Sequence, residues 1–128
     1  MKGDKFSFKK RVKSFGYAFN GVKILFQNEH NSWVHIAAAI VAITLGFILT
    51  ISSLEWIAIV FAIGLVFTAE LINTSLENVS DFISLEKNDS IKKIKDLAAA
   101  SVLISSFTAL SIGLIVFVPK IYLLCSTI

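Results

Sequence analysis

The 128-residue chain is 55% hydrophobic and 16% charged, with a mean hydropathy of +0.78; a soluble globular domain, with about a quarter of its residues charged, is excluded. Six glycines, one proline and one cysteine, Cys125, exclude collagen-like or proline-rich segments, a disulfide framework and a thiolate metal cage. The formal charge of +3 acquires meaning only from where the basic residues sit, because membrane proteins gather lysine and arginine at the cytoplasmic face.

The first segment, about residues 6–30, lacks the unbroken apolar run of a signal peptide. Phe8, Val12, Phe15, Phe19, Val22 and Phe26 recur at intervals of four and three, placing six apolar side chains on one helical stripe. Lys9, Arg11, Lys13, Asn20, Lys23 and Gln27 occupy much of the remainder. A basic amphipathic helix with aromatic residues on its apolar face suits the surface of an anionic leaflet; the alternative is packing on a protein core.

Three spanning helices are predicted at about 33–54, 56–84 and 90–118, the second extending into the cytosol. Trp33 to Leu54 is apolar apart from His35, Thr44, Thr50, Ser52 and Ser53, matching the ~20 residues that cross a ~30 Å hydrocarbon core. Trp56 to Ile72 follows almost at once, interrupted by Thr68 and Glu70. Leu97 to Val118 forms the third apolar stretch, closed by Pro119, and its Ala98, Ala99, Ala100, Ser101, Ser105 and Ser106 allow close helix approach. The fold class is therefore an all-α integral membrane bundle.

Lys2, Lys5, Lys9, Lys10, Arg11, Lys13 and Lys23 precede the first span, Lys87, Lys92, Lys93 and Lys95 lie between the second and third, and Lys120 follows the third. Eleven of twelve basic residues thus share one side, which the positive-inside rule makes cytoplasmic, together with the amino terminus. The charge balance is explained without nucleic acid.

At 100° per residue, Glu70, Asn73, Glu77 and Asp81 share one narrow helical face. Aligned carboxylates repel, so a divalent cation, nearby lysines or both must offset them. Counting from Trp56, Glu70 lies ~21 Å into the membrane and Glu77 ~32 Å, at its inner boundary. An intramembrane carboxylate costs ~2.5 to 3.5 kcal/mol even on the insertion scale, which makes Glu70 a candidate functional residue; the alternative is a glutamate bonded to a neighbouring helix. Glu29, just before the first span, and Lys95-Asp96, following a capping sequence Asn88-Asp89-Ser90, can reach the same face. Glu29 and Glu77 offer hard oxygen ligands for Mg²⁺, Lys95 a point charge for phosphate, and desolvated Glu70 a proton acceptor. Metal, cation and base are the components of phosphoryl transfer, placed where a lipid hydroxyl and a cytosolic nucleotide could meet.

The run Glu70-Leu71-Ile72-Asn73-Thr74-Ser75-Leu76-Glu77-Asn78-Val79-Ser80-Asp81 resembles the signature of the prokaryotic diacylglycerol kinase family, which includes undecaprenol kinases. Arg11, Ser14-Phe15-Gly16-Tyr17-Ala18-Phe19-Asn20-Gly21, Asn28-Glu29, His35-Ile36 and Lys95-Asp96-Leu97-Ala98-Ala99-Ala100 extend the resemblance over roughly residues 6–118. The resemblance implies a homotrimer that uses ATP and Mg²⁺ to phosphorylate a membrane lipid alcohol, undecaprenol or diacylglycerol, in the cytoplasmic membrane. It implies Glu70 as catalytic base with Asn73 beside the reacting centre, and Glu29 and Glu77 as metal ligands. Arg11, Tyr17, Glu86, Lys95 and Asp96 are implied to contribute, with Glu29 and Glu77, to nucleotide binding. The chain departs from the pattern at Trp33, where a basic residue is usual, and at Leu85-Glu86-Lys87-Asn88, where a histidine is missing; the core carboxylates are intact.

Gly16 to Lys23 almost spells a phosphate-binding loop, but lacks the following Ser/Thr and the preceding strand. Asn73-Thr74-Ser75 and Asn88-Asp89-Ser90 match glycosylation sequons on the wrong side of the membrane. His35, a lone histidine, reads as a side chain satisfied by a neighbour. The rival function is a cation channel or transporter with a ring of Glu70 carboxylates around a shared axis.

Overall fold

The computed structural model describes residues 5–128, and all regular structure among them is helical: α1 (Phe8–Asn28), α2 (His30–Ile48), α3 (Ser53–Ile83) and α4 (Asp89–Ser126). Lys2, counted above with the basic amino-terminal segment, lies outside the described residues. α2, α3 and α4, at 19, 31 and 38 residues, are long and apolar enough to cross a membrane, and many of their large side chains, among them Phe47, Phe61, Phe107 and Ile115, are exposed. Such surfaces are stable against lipid rather than water.

α1 starts where Ser7 Oγ accepts from the Lys10 amide at 3.4 Å. Its aromatic stripe is uncovered over most of its length, with Phe8, Phe15 and Phe19 76%, 67% and 73% exposed, and its last member, Phe26, packs within the chain. The helix ends at Glu29, whose extended backbone (φ −115°, ψ 109°) separates it from α2. Buried Ser32 ties this break by donating its hydroxyl to the Glu29 carbonyl and reaching that of Leu25. Trp33 Nε1 donates to the Phe26 carbonyl at 2.9 Å, and the Phe26 ring sits 6.1 Å from the rings of Trp33 and Phe67. The exit from α1 is thus fixed against α3.

The first apolar run, expected to span 33–54, divides earlier. α2 stops at Ile48, Thr50 adopts a left-handed conformation (φ 48°), and the Ile51 amide donates back to the Gly46 carbonyl at 3.2 Å. A capping box then opens α3: Ser52 Oγ accepts from the Glu55 amide and the Glu55 carboxylate from the Ser52 amide. Polar satisfaction of the next helix start, which hydropathy does not register, sets the boundary.

α4 begins with Asn88 Oδ1 accepting from the amides of Ser90 and Ile91. It is not closed by Pro119, as the sequence suggests, but runs through it to Ser126. Proline removes one amide donor and crowds the preceding turn, a penalty that a long membrane helix tolerates. Just beyond it, Lys120 Nζ reaches Glu55 Oε1 at 3.2 Å, tying the continuation of α4 to the start of α3.

α3 packs chiefly on α4. Ile51, Ile59, Val116 and Phe117 form the buried core near the α2–α3 turn, and the buried seam of α3 continues through Ala62, Val66 and Ala69 to Glu70, Asn73 and Thr74. Small residues bring the backbones close, and the same seam delivers polar side chains at its far end.

Candidate active site

The seam of α3 ends in a pocket of about 390 Å³ lined by Glu29, Asn31 and His35 from the α1–α2 junction and α2, Glu70, Asn73 and Glu77 from α3, and Ser106 with apolar neighbours from α4. The pinned break at Glu29 is what brings its carboxylate to this place, since a continuous α1–α2 helix would carry residue 29 along its axis. Glu70 and Asn73 are 3% and 8% exposed, while Glu77 is half-buried and Asp81 exposed.

Glu70 Oε1 lies 2.8 Å from His35 Nε2; a carboxylate can only accept, so the imidazole Nε2–H donates. Asn73 Nδ2 donates to Glu77 Oε1 at 3.4 Å, while buried Asn73 Oδ1 and Thr74 Oγ1 have no partner. Asp81, the outermost member of the acidic face, takes the ammonium of Lys95. Lys95 therefore pairs with the outer end of the acidic row and His35 is hydrogen-bonded at its inner end, and among the described residues no lysine or arginine forms an ion pair with Glu29 or Glu77. Burial first, then the charges of Glu77 and Glu70, push the Glu29 carboxyl above its ordinary pKa.

Among the described residues no group of three His, Cys, Asp or Glu side chains converges as a closed cage. Two mutually repelling carboxylates with an orphaned amide oxygen beside them fit Mg²⁺, which favours one or two carboxylates and completes its shell with water and phosphate.

The remaining predicted residues stand outside the pocket. Arg11 and Tyr17 are exposed on α1, with the Arg11 guanidinium 5.4 Å from the Phe6 ring centroid. Glu86 is exposed in the α3–α4 loop, where its amide donates to Ser84 Oγ. Asp96 pairs with Lys92 at 2.7 Å. Asn31 and Ser106 line the pocket without a signal in the sequence, whereas His35, read as a side chain satisfied by a neighbour, is so satisfied, by the central carboxylate. Its position near the inner end of an apolar span was the available signal; its partner, 35 residues away, was not.

A second cavity adjoins the first: an apolar groove of about 430 Å³ between α2, α3 and α4, extending from His35 and Phe67 to Phe117 and Ile121. His35 and Ser106 line both cavities. An acidic, polar pocket and an apolar groove thus share two lining residues, one of them the His35 bonded to buried Glu70.

Residues 16–117 match the family model described as prokaryotic diacylglycerol kinase. The chain is 36% identical over 109 residues to an undecaprenol kinase of Bacillus subtilis (strain 168), covering 85% of this chain and 89% of that protein. It is 30% identical over 109 residues to a diacylglycerol kinase of Synechocystis sp., covering 84% of this chain but 62% of that longer protein. It is 26% identical over 102 residues to a diacylglycerol kinase of Escherichia coli (strain K12), with 80% and 84% coverage. The buried acidic face, the apolar groove beside it and these likenesses agree: the chain belongs to the prokaryotic diacylglycerol kinase family of membrane lipid kinases.

Proposed function

We propose that the protein transfers the γ-phosphate of Mg-ATP to the hydroxyl of a polyprenol-type membrane alcohol, with the amino terminus and the α3–α4 loop on the cytoplasmic side. The observation that carries this reading is the junction of the two cavities at His35 and Ser106. A lipid chain lying in the apolar groove presents its hydroxyl at that junction, and the acidic pocket beside it accommodates the phosphate end of the nucleotide. The 36% identity to an undecaprenol kinase supports the polyprenol over diacylglycerol.

Glu70 accepts the hydroxyl proton as the lipid oxygen bonds to the γ-phosphorus and the bond to the departing ADP breaks. Burial in an apolar surround keeps water from competing for that step. Glu29 and Glu77 would hold Mg²⁺, which when bound would neutralise charge on the transferring phosphoryl group. Asn73 holds Glu77 through its amide and turns Oδ1 toward the reacting centre. Lys95, one turn beyond Glu77 on the opposing helix, directs positive charge to the nucleotide phosphates, with Asp96, Arg11, Tyr17 and Glu86 contributing to nucleotide binding. The exposed aromatic stripe of α1 lies on the leaflet surface, and the exposed faces of the spans pack in a homotrimer. The channel alternative requires Glu70 to face a shared axis; in the chain it is buried against His35.

The test is transfer from labelled ATP with undecaprenol and diacylglycerol offered separately. Faster labelling of undecaprenol is expected; preference for diacylglycerol overturns the acceptor, and transfer to neither overturns the kinase reading. With the exposed Cys125 replaced by serine, a membrane-impermeant thiol probe on intact cells should label a cysteine placed at Ser53 and spare one at Asn88, and the reverse would overturn the orientation.

A further inference from the structure

Glu70 is one of three carboxylates bordering the same pocket, yet it alone is held by a cationisable ring. The imidazole of His35 is itself fixed: Nε2 lies 2.8 Å from Glu70 Oε1, and the ring meets Phe67 edge-on with centroids 6.3 Å apart. Phe67 precedes Glu70 by almost one turn of α3, so ring and carboxylate are anchored to the same stretch of helix. Among the described residues Glu70 makes its side-chain hydrogen bond through Oε1, not Oε2. A divalent cation on Glu29 and Glu77 would attract any neighbouring carboxylate free to rotate, and a glutamate has three side-chain torsions with which to answer. A base drawn onto the cation would no longer be available for a proton.

We propose that His35 is a positioning residue: its Nε2–H holds Oε1 of Glu70 at the mouth of the apolar groove, leaving Oε2 to meet the acceptor hydroxyl and keeping Glu70 from joining Glu29 and Glu77 around the cation. This inference rests on the reading of Glu70 as base. During transfer the hydroxyl proton passes to Oε2, the lipid oxygen–phosphorus bond forms and the bond to ADP breaks; His35 neither gains nor loses a proton. Ser106, which lines both cavities together with His35, borders the seat in which that hydroxyl lies.

The experiment compares the parent with His35→Leu and His35→Gln, each also in the Glu70→Gln background, using Mg-ATP and undecaprenol in mixed micelles. Leucine suits the apolar groove but has no donor, whereas the glutamine amide can place an N–H near the position of Nε2. His35→Leu should lower kcat about ten- to a hundred-fold, the range for losing a group that orients a reacting one, with KM for Mg-ATP unchanged. His35→Gln should recover most of that loss. In the Glu70→Gln background His35→Leu should cost nothing further, because residues acting as one unit are not additive. Should His35→Leu fail to assemble, ¹⁵N spectra of the parent decide instead: the Nε2 resonance of His35 should show a protonated, hydrogen-bonded nitrogen that shifts in Glu70→Gln.

A parental kcat for His35→Leu, equal damage from Gln and Leu, full additivity with Glu70→Gln, or an Nε2 resonance indifferent to residue 70 would each overturn the proposal. A parental rate for Glu70→Gln itself would instead remove the base reading on which it rests, so the two failures are distinguishable.

Discussion

The two ends of the helical bundle are built by opposite rules. At the α2–α3 turn, Ser52 and Glu55 satisfy each other's amides, Lys120 meets Glu55, and Ile51, Ile59, Val116 and Phe117 close around them. At the other end, Glu29 and Glu77 share a pocket without a cationic partner among the described residues, and Asn73 Oδ1 is buried unbonded. Unsatisfied buried polar groups cost stability. Their concentration at one end of a molecule that satisfies the other so fully is what supports placing the ligand at that end in the proposed function.

This contrast is broken most sharply at Glu70. Glu70→Gln keeps shape and an acceptor for His35, so the variant should insert, assemble and bind Mg-ATP, while losing a positioned base should slow transfer at least ~10²-fold. Single-turnover transfer on the assembled protein checks this, and a parental rate or failure to assemble would contradict it.

Glu77→Gln should act more mildly, removing ligand charge while retaining size. We expect the Mg²⁺ dependence of transfer to move to higher concentration, with partial rescue by excess metal, and coincident titration curves for variant and parent would remove Glu77 from the ligand set.

At the satisfied end, substitutions should change stability and leave the chemistry intact. A Cβ at Gly46 would lie 2.6 Å from Cη2 of Trp56, a ring already packed 4.9 Å from that of Phe47. Gly46→Ala should therefore destabilise by about 1–3 kcal/mol, the usual cost of overpacking. Ser52→Ala, which removes one half of the capping box, should cost about 1 kcal/mol. Thermal unfolding in detergent, with residual kcat measured below the transition, tests both; a large loss of kcat in either folded variant would erase the distinction between the ends.

Much of the acidic end was legible in sequence because helical periodicity is local. The spacing of Glu70, Asn73 and Glu77 puts them on one face whatever they pack against, and Asn88-Asp89-Ser90 caps a helix by its own chemistry. Glu29 was legible as a residue at a span's border, though not the extended backbone that turns it toward α3, which depends on Ser32 and Trp33 bonding backward into α1. The His35–Glu70 bond was hidden because it joins two helices through tertiary packing. The helix boundaries failed where hydropathy was their only guide: a run of apolar residues conceals the Thr50 turn, and Pro119 interrupts one hydrogen bond without ending α4.

The two tryptophans permit the most direct test of where the cation binds, since Trp33 follows Glu29 by four residues, about 6 Å along a helix, and Trp56 precedes Glu77 by about 32 Å along α3. Mn²⁺, a paramagnetic substitute for Mg²⁺, should be titrated with a non-hydrolysable ATP analogue while both indole N–H signals are followed by NMR. The account predicts that the Trp33 signal broadens first, that the Trp56 signal persists, and that this selectivity vanishes in a Glu29→Gln/Glu77→Gln variant. Broadening of Trp56 at the same Mn²⁺ concentration as Trp33, or selectivity that survives loss of both carboxylates, would contradict it.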